Sequence, residues 1–272
     1  MHGRSDVALS GDGRANPLSG LVVSMTTEKT EAIVIRQADF SETSRVVRFF
    51  TRDFGQISAM AKGARRLKGP FEAALDLLAR CRVVFISKST GSLDLLTEAQ
   101  LIQRFTPHGQ DLASLYGGYY VAELLGSLTE SHDPHQVLYD ETVEALNHLS
   151  EDDCLTQTVV RFELAVLREI GQLPTFDICV GCGGPIKNQG PFGFWVSQGG
   201  LACPKCQKQE YQHHPIQPGT VAVLRRLANR SDAAAVRLVI APDQMKEIRH
   251  IMTASISHVL GRRPKLLHYL KF

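Results

Sequence analysis

At 272 residues, 43% hydrophobic and 21% charged, the chain is long enough to bury a sizeable core and suits two domains better than one. Its apolar runs are cut by Arg or Asp well short of the ~20 residues of a membrane span, and no apolar segment with a cleavage site opens it, so the expected location is the cytoplasm and not a membrane. The net charge of +2 conceals a segregation: residues 29–108 carry 13 Lys and Arg against 8 Asp and Glu, residues 109–176 carry 2 against 12, and residues 177–272 carry 13 against 5. Such a basic–acidic–basic chain can hold a polyanion with its ends while the middle is solvated or meets a basic partner.

Residues 1–28 show little periodicity and many small polar residues, and are expected to form a disordered leader, with Met25 as an alternative start. From Lys29 the pattern becomes short strands: EAIVIRQ, SRVVRFFTRD, QISAMAKG, CRVVFISKS and SLDLLTEAQLIQRF, with turn residues Asp53 and Gly55 between the second and third. Five strands in about 80 residues, joined by turns, predict an OB-fold β-barrel over residues 29–108. The stretch PFEAALDLLA between the third and fourth strands reads alternatively as a short helix.

Beyond Gln110 apolar residues recur at three and four positions, predicting a mainly α-helical domain over residues 109–272. The helix signals are DLASLYGGYYVAELLGSL, PHQVLYDETVEALNHLS, DDCLTQTVVRFELAVLREIG, TVAVLRRLANR and PDQMKEIRHIMTASISHVLG, the third stopped by Gly171 and the last opened by Pro242 and stopped by Gly261. The fold class is therefore α+β multidomain: a barrel, then a helical domain carrying a four-cysteine zinc finger inserted at about residues 177–210.

That insertion contains Cys179, Cys182, Cys203 and Cys206, two C-x-x-C pairs separated by a hairpin-like segment. The spacing fits a four-thiolate tetrahedral site for one structural Zn2+. Gly183 suits a tight knuckle turn after the first pair; Gln207 suits the second less well. A dithiol redox pair would sit at a helix start near a βαβ unit, and a catalytic zinc would keep a position open for water. A deaminase would need H-x-E upstream and Pro before the third cysteine, where Ala202 stands. His213 and His214 lie close enough to be alternative ligands but read as surface residues, whereas Cys81 and Cys154 sit in apolar patterns as buried hydrophobes.

No nucleotide-binding P-loop, H-E-x-x-H or G-x-S-x-G occurs, so the chain is read as a non-enzyme that uses no nucleotide. The feature pointing to a ligand is AKGARRLKGPF, where Lys62, Arg65, Arg66 and Lys68 crowd one loop, with Arg45, Arg48 and Arg52 on the preceding strand. Basic loops on OB barrels hold nucleic acid through its phosphates, and Phe49, Phe50, Phe54 and Phe71 are candidates for base stacking.

The stretch EAIVIRQADFSETSRVVRFFTRDFGQISAMAKGARR, the helix-to-cysteine segment FELAVLREIGQLPTFDICVGCG and the closing GRRPKLLHYLKF together resemble the RecO family of bacterial recombination mediators, over residues 29–272. The resemblance implies a DNA repair and homologous recombination mediator that responds to DNA damage. Such a protein binds single- and double-stranded DNA, anneals complementary strands coated by single-strand DNA-binding protein, and acts with RecR to load RecA. Carried onto this sequence, Lys62, Arg65, Arg66, Lys68, Arg45 and Arg48 would contact DNA and the four cysteines would hold zinc. Arg249, Arg262, Arg263 and Lys265 would receive the acidic C-terminal tail of the single-strand-binding protein. Two other readings stay open: a protein–protein adaptor that docks through its acidic helical segment, and an RNA-binding barrel with a zinc ribbon.

Overall fold

The computed structural model describes residues 25–66, 71–88, 93–109, 112–151, 155–187, 189–207, 214–232, 235 and 238–270. Five strands come first: β1 (Met25–Asp39), β2 (Arg45–Thr51), β3 (Gly55–Ala61), β4 (Arg80–Lys88) and β5 (Asp94–Gln103). They close into a barrel in the order β1-β2-β3-β5-β4, with β1 paired to both β2 and β4 and β3 joined to β5 in parallel. This confirms the OB-type barrel. The leader boundary moves: Met25–Glu28 pair with Phe85–Lys88 as the first rungs of β1, so polar residues there are strand and not leader. Their lack of periodicity reflects a ladder end with little to bury.

The segment PFEAALDLLA resolves the ambiguity left by its pattern. A 3-10 turn at Glu72–Leu75 sends Phe71, Ala74 and Leu75 into the barrel beside Val34, Phe49 and Phe85, plugging its end. The neighbouring run AIVI in β1 reads as continuously apolar because both of its faces are buried. Ala32 and Val34 point into the barrel, whereas Ile33 and Ile35 join the core of the helical domain. Phe49 and Phe50 divide likewise, one to each side. Full burial of one such ring contributes about 1.5–3 kcal/mol.

Among the described residues five α-helices follow: α1 (Ala113–Leu128), α2 (Gln136–Glu151), α3 (Leu155–Glu169), α4 (Pro218–Ala228) and α5 (Pro242–Leu260). Gly171 (φ 70°) and Gly261 (φ 66°) end α3 and α5 in the left-handed conformation that favours glycine. The tail after Gly261 folds back, burying Leu267 and Leu270.

Barrel and helices are docked by polar as well as apolar contacts. The buried Gln56 amide donates to the carbonyls of Leu125 (3.0 Å) and Thr129 (2.5 Å), satisfying the end of α1. Beside it, Gly55 (φ 64°) lies so close to Asp133 that a Cβ would stand 2.2 Å from its carbonyl oxygen. Arg52 bonds Asp140 on α2 at 3.1 Å, so it secures the junction and does not extend the free basic surface.

Candidate nucleic-acid interface and metal centre

The basic loop begins where β3 ends. Gly63 takes φ 78°, and the turn it makes presents Lys62, Arg65 and Arg66 to solvent. Lys68 lies outside the described residues. The loop leans on the β1–β2 turn: the Arg65 amide donates to Thr43 O (3.2 Å) and its guanidinium to Ser41 O (2.9 Å). Asp39 is shared between Arg45 (2.9 Å) and Arg65 (3.6 Å). Arg65 and Arg45 therefore shape the loop, while Lys62 and Arg66 form no ion pair among the described residues. Among the described residues Arg48 makes only a long hydrogen bond to Ser58 Oγ at 3.4 Å.

The aromatic candidates are relocated. Phe49, Phe50 and Phe71 are buried and Phe54 packs edge-on against Phe85 with ring centroids 5.5 Å apart, because alternation and the plugging turn direct these rings inward. The exposed ring beside the basic loop is Phe40, 61% accessible in the β1–β2 turn. A large apolar residue in a polar turn, ADFSETS, is the sequence signal that would have found it.

In the cysteine segment, β6 (Gly193–Trp195) and β7 (Gly200–Ala202) form the hairpin that returns the chain to the first knuckle. The sulfurs of Cys179, Cys182, Cys203 and Cys206 all lie within 4.8 Å of one another. A tetrahedron with metal–sulfur bonds of about 2.3 Å has edges of about 3.8 Å, so the cluster needs only slight contraction around an ion. Amide donors are already aimed at Cys179 Sγ, from Cys203 N (3.2 Å) and Gly181 N (3.4 Å). Burial raises this thiol, but those amides and that of Cys182, with the Cys182 side chain, outweigh it and lower Cys179 to about 6. Side-chain hydrogen bonds with Cys203 and Cys182, then burial and the neighbouring Cys179, push Cys206 up to about 12.

Gly183 has φ 70°, and Gly181 passes so close to Cys206 that a Cβ would lie 2.9 Å from the cysteine's own. Gln207, the less ideal knuckle residue, closes its turn through N–H to Cys203 O (3.1 Å) and ties the ribbon through its amide to Pro191 O (2.7 Å). Arg225 on α4 fixes the ribbon to the domain through Phe176 O (2.7 Å), Ile186 O (3.0 Å) and Asp177 (2.8 Å). His214 packs against His250 at 4.1 Å between ring centroids and is not in the cysteine cluster; His213 and Cys154 lie outside the described residues. Cys81 is fully buried, as its pattern predicts.

The four basic residues assigned to a peptide tail separate. Arg263 is exposed, and Arg262 and Lys265 line a groove between α1 and the barrel. Arg249 is a correction: it is 8% exposed and inside the helical core, bonded to the fully buried Glu163, which also accepts from Tyr120 Oη at 2.7 Å. The clue was present, since Glu163 and Arg249 are opposite charges interrupting the apolar stripes of α3 and α5.

The comparisons with known proteins cover both domains. The model of the family described as Recombination protein O N terminal matches residues 25–105, and that described as Recombination protein O C terminal matches residues 109–268. The curated DNA repair protein RecO of Rhodopirellula baltica is 32% identical over 262 residues, 88% of this chain and 97% of the relative. That of Anaeromyxobacter dehalogenans is 33% identical over 239 residues (88% and 94%), and that of Listeria monocytogenes 34% over 204 residues (74% and 76%). With a closed barrel, a helical domain and a thiolate cluster in the order these models span, the chain belongs to the recombination protein O family.

Proposed function

We propose that the chain is a non-enzymatic mediator of DNA repair and recombination that binds DNA, anneals complementary strands coated by single-strand DNA-binding protein, and helps load RecA together with RecR. Family membership supports the repair role. The observation that carries DNA contact is the exposed Lys62 and Arg66 of the basic loop, with the partly buried Arg48 on β2 and the exposed Phe40 in the turn on which the loop leans. Cations there neutralise phosphates on two strands and lower their repulsion, so that pairing, which runs downhill, needs no nucleotide hydrolysis. The ion of the cysteine cluster is proposed to be zinc, with four thiolates and no open position, in a structural role.

The adaptor reading keeps a smaller docking face than composition suggests, because part of the acidic segment is paired within the chain. Asp140, Glu123, Glu141 and Glu163 of the acidic segment meet Arg52, Arg262, Arg168 and Arg249 within the chain. The test is annealing of complementary oligonucleotides coated with the cognate single-strand-binding protein, without ATP, across a salt titration. Acceleration that fades with salt is expected. No acceleration by folded, metal-loaded protein would remove the annealing role, and preference for RNA in competition would move the reading to an RNA-binding barrel.

A further inference from the structure

Between the barrel and α1 lies a groove of about 460 Å3 whose walls come from both domains. On the barrel side, the register of β1 and β2 shifts between Val34 and Arg36, leaving Ile35 as a bulge and setting Arg36 directly opposite Arg48. A bulge re-aims side chains, and here Ile35 and Arg36 both line the groove. Like charges directly opposite across two strands destabilise a sheet. Neither arginine has an ion-pair partner among the described residues, so the pairing is a cost that an anion in the groove would offset.

The helical side adds Arg262 and Lys265 and a single carboxylate, Glu123. That carboxylate is already committed: it accepts from the amides of Lys265 (2.8 Å) and Leu266 (2.9 Å) and from Arg262 Nη1 (3.2 Å). The groove is therefore strongly positive, with an apolar wall of Tyr119 and Leu266. Its floor is held open by Gly126, inside α1, where a Cβ would make only ordinary contact, 3.8 Å from Ile35. Glycine at a helix interior costs about 1 kcal/mol relative to alanine, and neither backbone angle nor crowding requires it here. Further back on the same helix, Tyr116 stacks on the half-exposed Tyr269 at 4.9 Å.

We propose, resting on the DNA-binding reading above, that a single nucleic-acid strand runs from the basic loop along β3 and across Arg48 of β2 into this groove. Phosphates meet Arg48, Arg36 and Lys265, and a base lies over Gly126 against Tyr119. Charge alone would equally suit an acidic peptide. Continuity favours the strand: Arg48 stands opposite Ser58 on β3, whose partly exposed residues Ser58 and Met60 lead on the same face to the exposed Lys62 at the start of the basic loop. The flat apolar wall beside stacked tyrosines suits bases.

The test uses full-length, metal-loaded protein and a fluorescein-labelled oligothymidylate titrated at several salt concentrations. Arg36→Ala with Lys265→Ala is expected to weaken binding about tenfold at low salt and to flatten the log–log salt slope by about 1.4, two single-strand contacts at about 0.7 each. Gly126→Leu, which fills the floor without touching charge, is expected to weaken binding with the slope unchanged. Unchanged affinity and slope in both variants, while Lys62→Glu with Arg66→Glu still impairs binding, would overturn the groove and leave the barrel site standing. Loss of an acidic, phenylalanine-ending peptide by the groove variants, with oligothymidylate binding intact, would overturn it in favour of a protein partner. A wild-type chain that binds no oligothymidylate would overturn the DNA-binding reading itself.

Discussion

Arg249 holds Glu163 through both ends of its guanidinium, Nη1 at 2.5 Å and Nη2 at 3.2 Å, joining α5 to α3 where neither residue reaches solvent freely. Removing one partner strands a charge in a low-dielectric core. Arg249→Ala is therefore expected to destabilise the protein by about 3–5 kcal/mol in urea unfolding. Replacing Glu163 by Leu, Arg249 by Met and Tyr120 by Phe together is expected to recover most of that loss. An Arg249→Ala protein of wild-type stability that fails only in partner binding would return this residue to the surface role.

Gly55 is expected to tolerate no side chain. A left-handed non-glycine residue costs about 1–3 kcal/mol by itself, and here a Cβ also collides with the Asp133 backbone. Gly109→Ala supplies the control, since that glycine has φ 72° with nothing within 4 Å of a Cβ. Unfolding midpoints should place Gly55→Ala well below Gly109→Ala; equal midpoints would mean that the barrel–helix junction gives way easily.

Metal analysis of purified protein is expected to find zinc bound by the cysteine cluster, and Cys203→Ser to lose it. Chelation should lower the thermal midpoint and expose the ribbon to protease first, because Arg225 holds segments whose path the knuckles define. Acid should release the ion, since ligand thiolates must be deprotonated to bind. A zinc-free Cys203→Ser protein with wild-type midpoint and protease pattern would refute a structural role.

Alkaline pH should act through Cys81, whose burial pushes its thiol from an ordinary 9.0 up to about 12. The folded state thus favours the neutral thiol, so this contribution to stability is whole below pH 9 and is lost as pH rises toward about 12, with a slope of up to about 1.4 kcal/mol per pH unit. Denaturant midpoints measured across that range should fall less steeply in Cys81→Ala. The same slope in both proteins would assign the loss to the buried tyrosines, Tyr120 and Tyr139, which burial also raises.

What can be read from the sequence is what local physics determines. The change from alternating to helical periodicity near residue 110 reflects which side of each element meets the core, and the glycines at 171, 183 and 261 mark backbone angles that favour no other residue. The cysteine spacing brings four sulfurs together because a knuckle is a local turn. Long-range use of charge is not legible. Composition shows an acidic segment between basic ones, but not that Arg52 and Arg262 reach it from either side. Nor does alternation say which of two faces is solvent when a strand has none, and so the paired phenylalanines of β2 look free to stack until the helices are placed beside them.

β1 is a party wall. Ile33 and Ile35, with Phe50 beside them, serve the helical core as fully as Ala32 and Val34 serve the barrel. The two halves recognised as separate family segments are therefore not interchangeable parts. A barrel cut off after Gln103 would bare an oily stripe and aggregate, and a chimera joining this barrel to a relative's helices would fold only if the wall residues travelled with the helices they were fitted to.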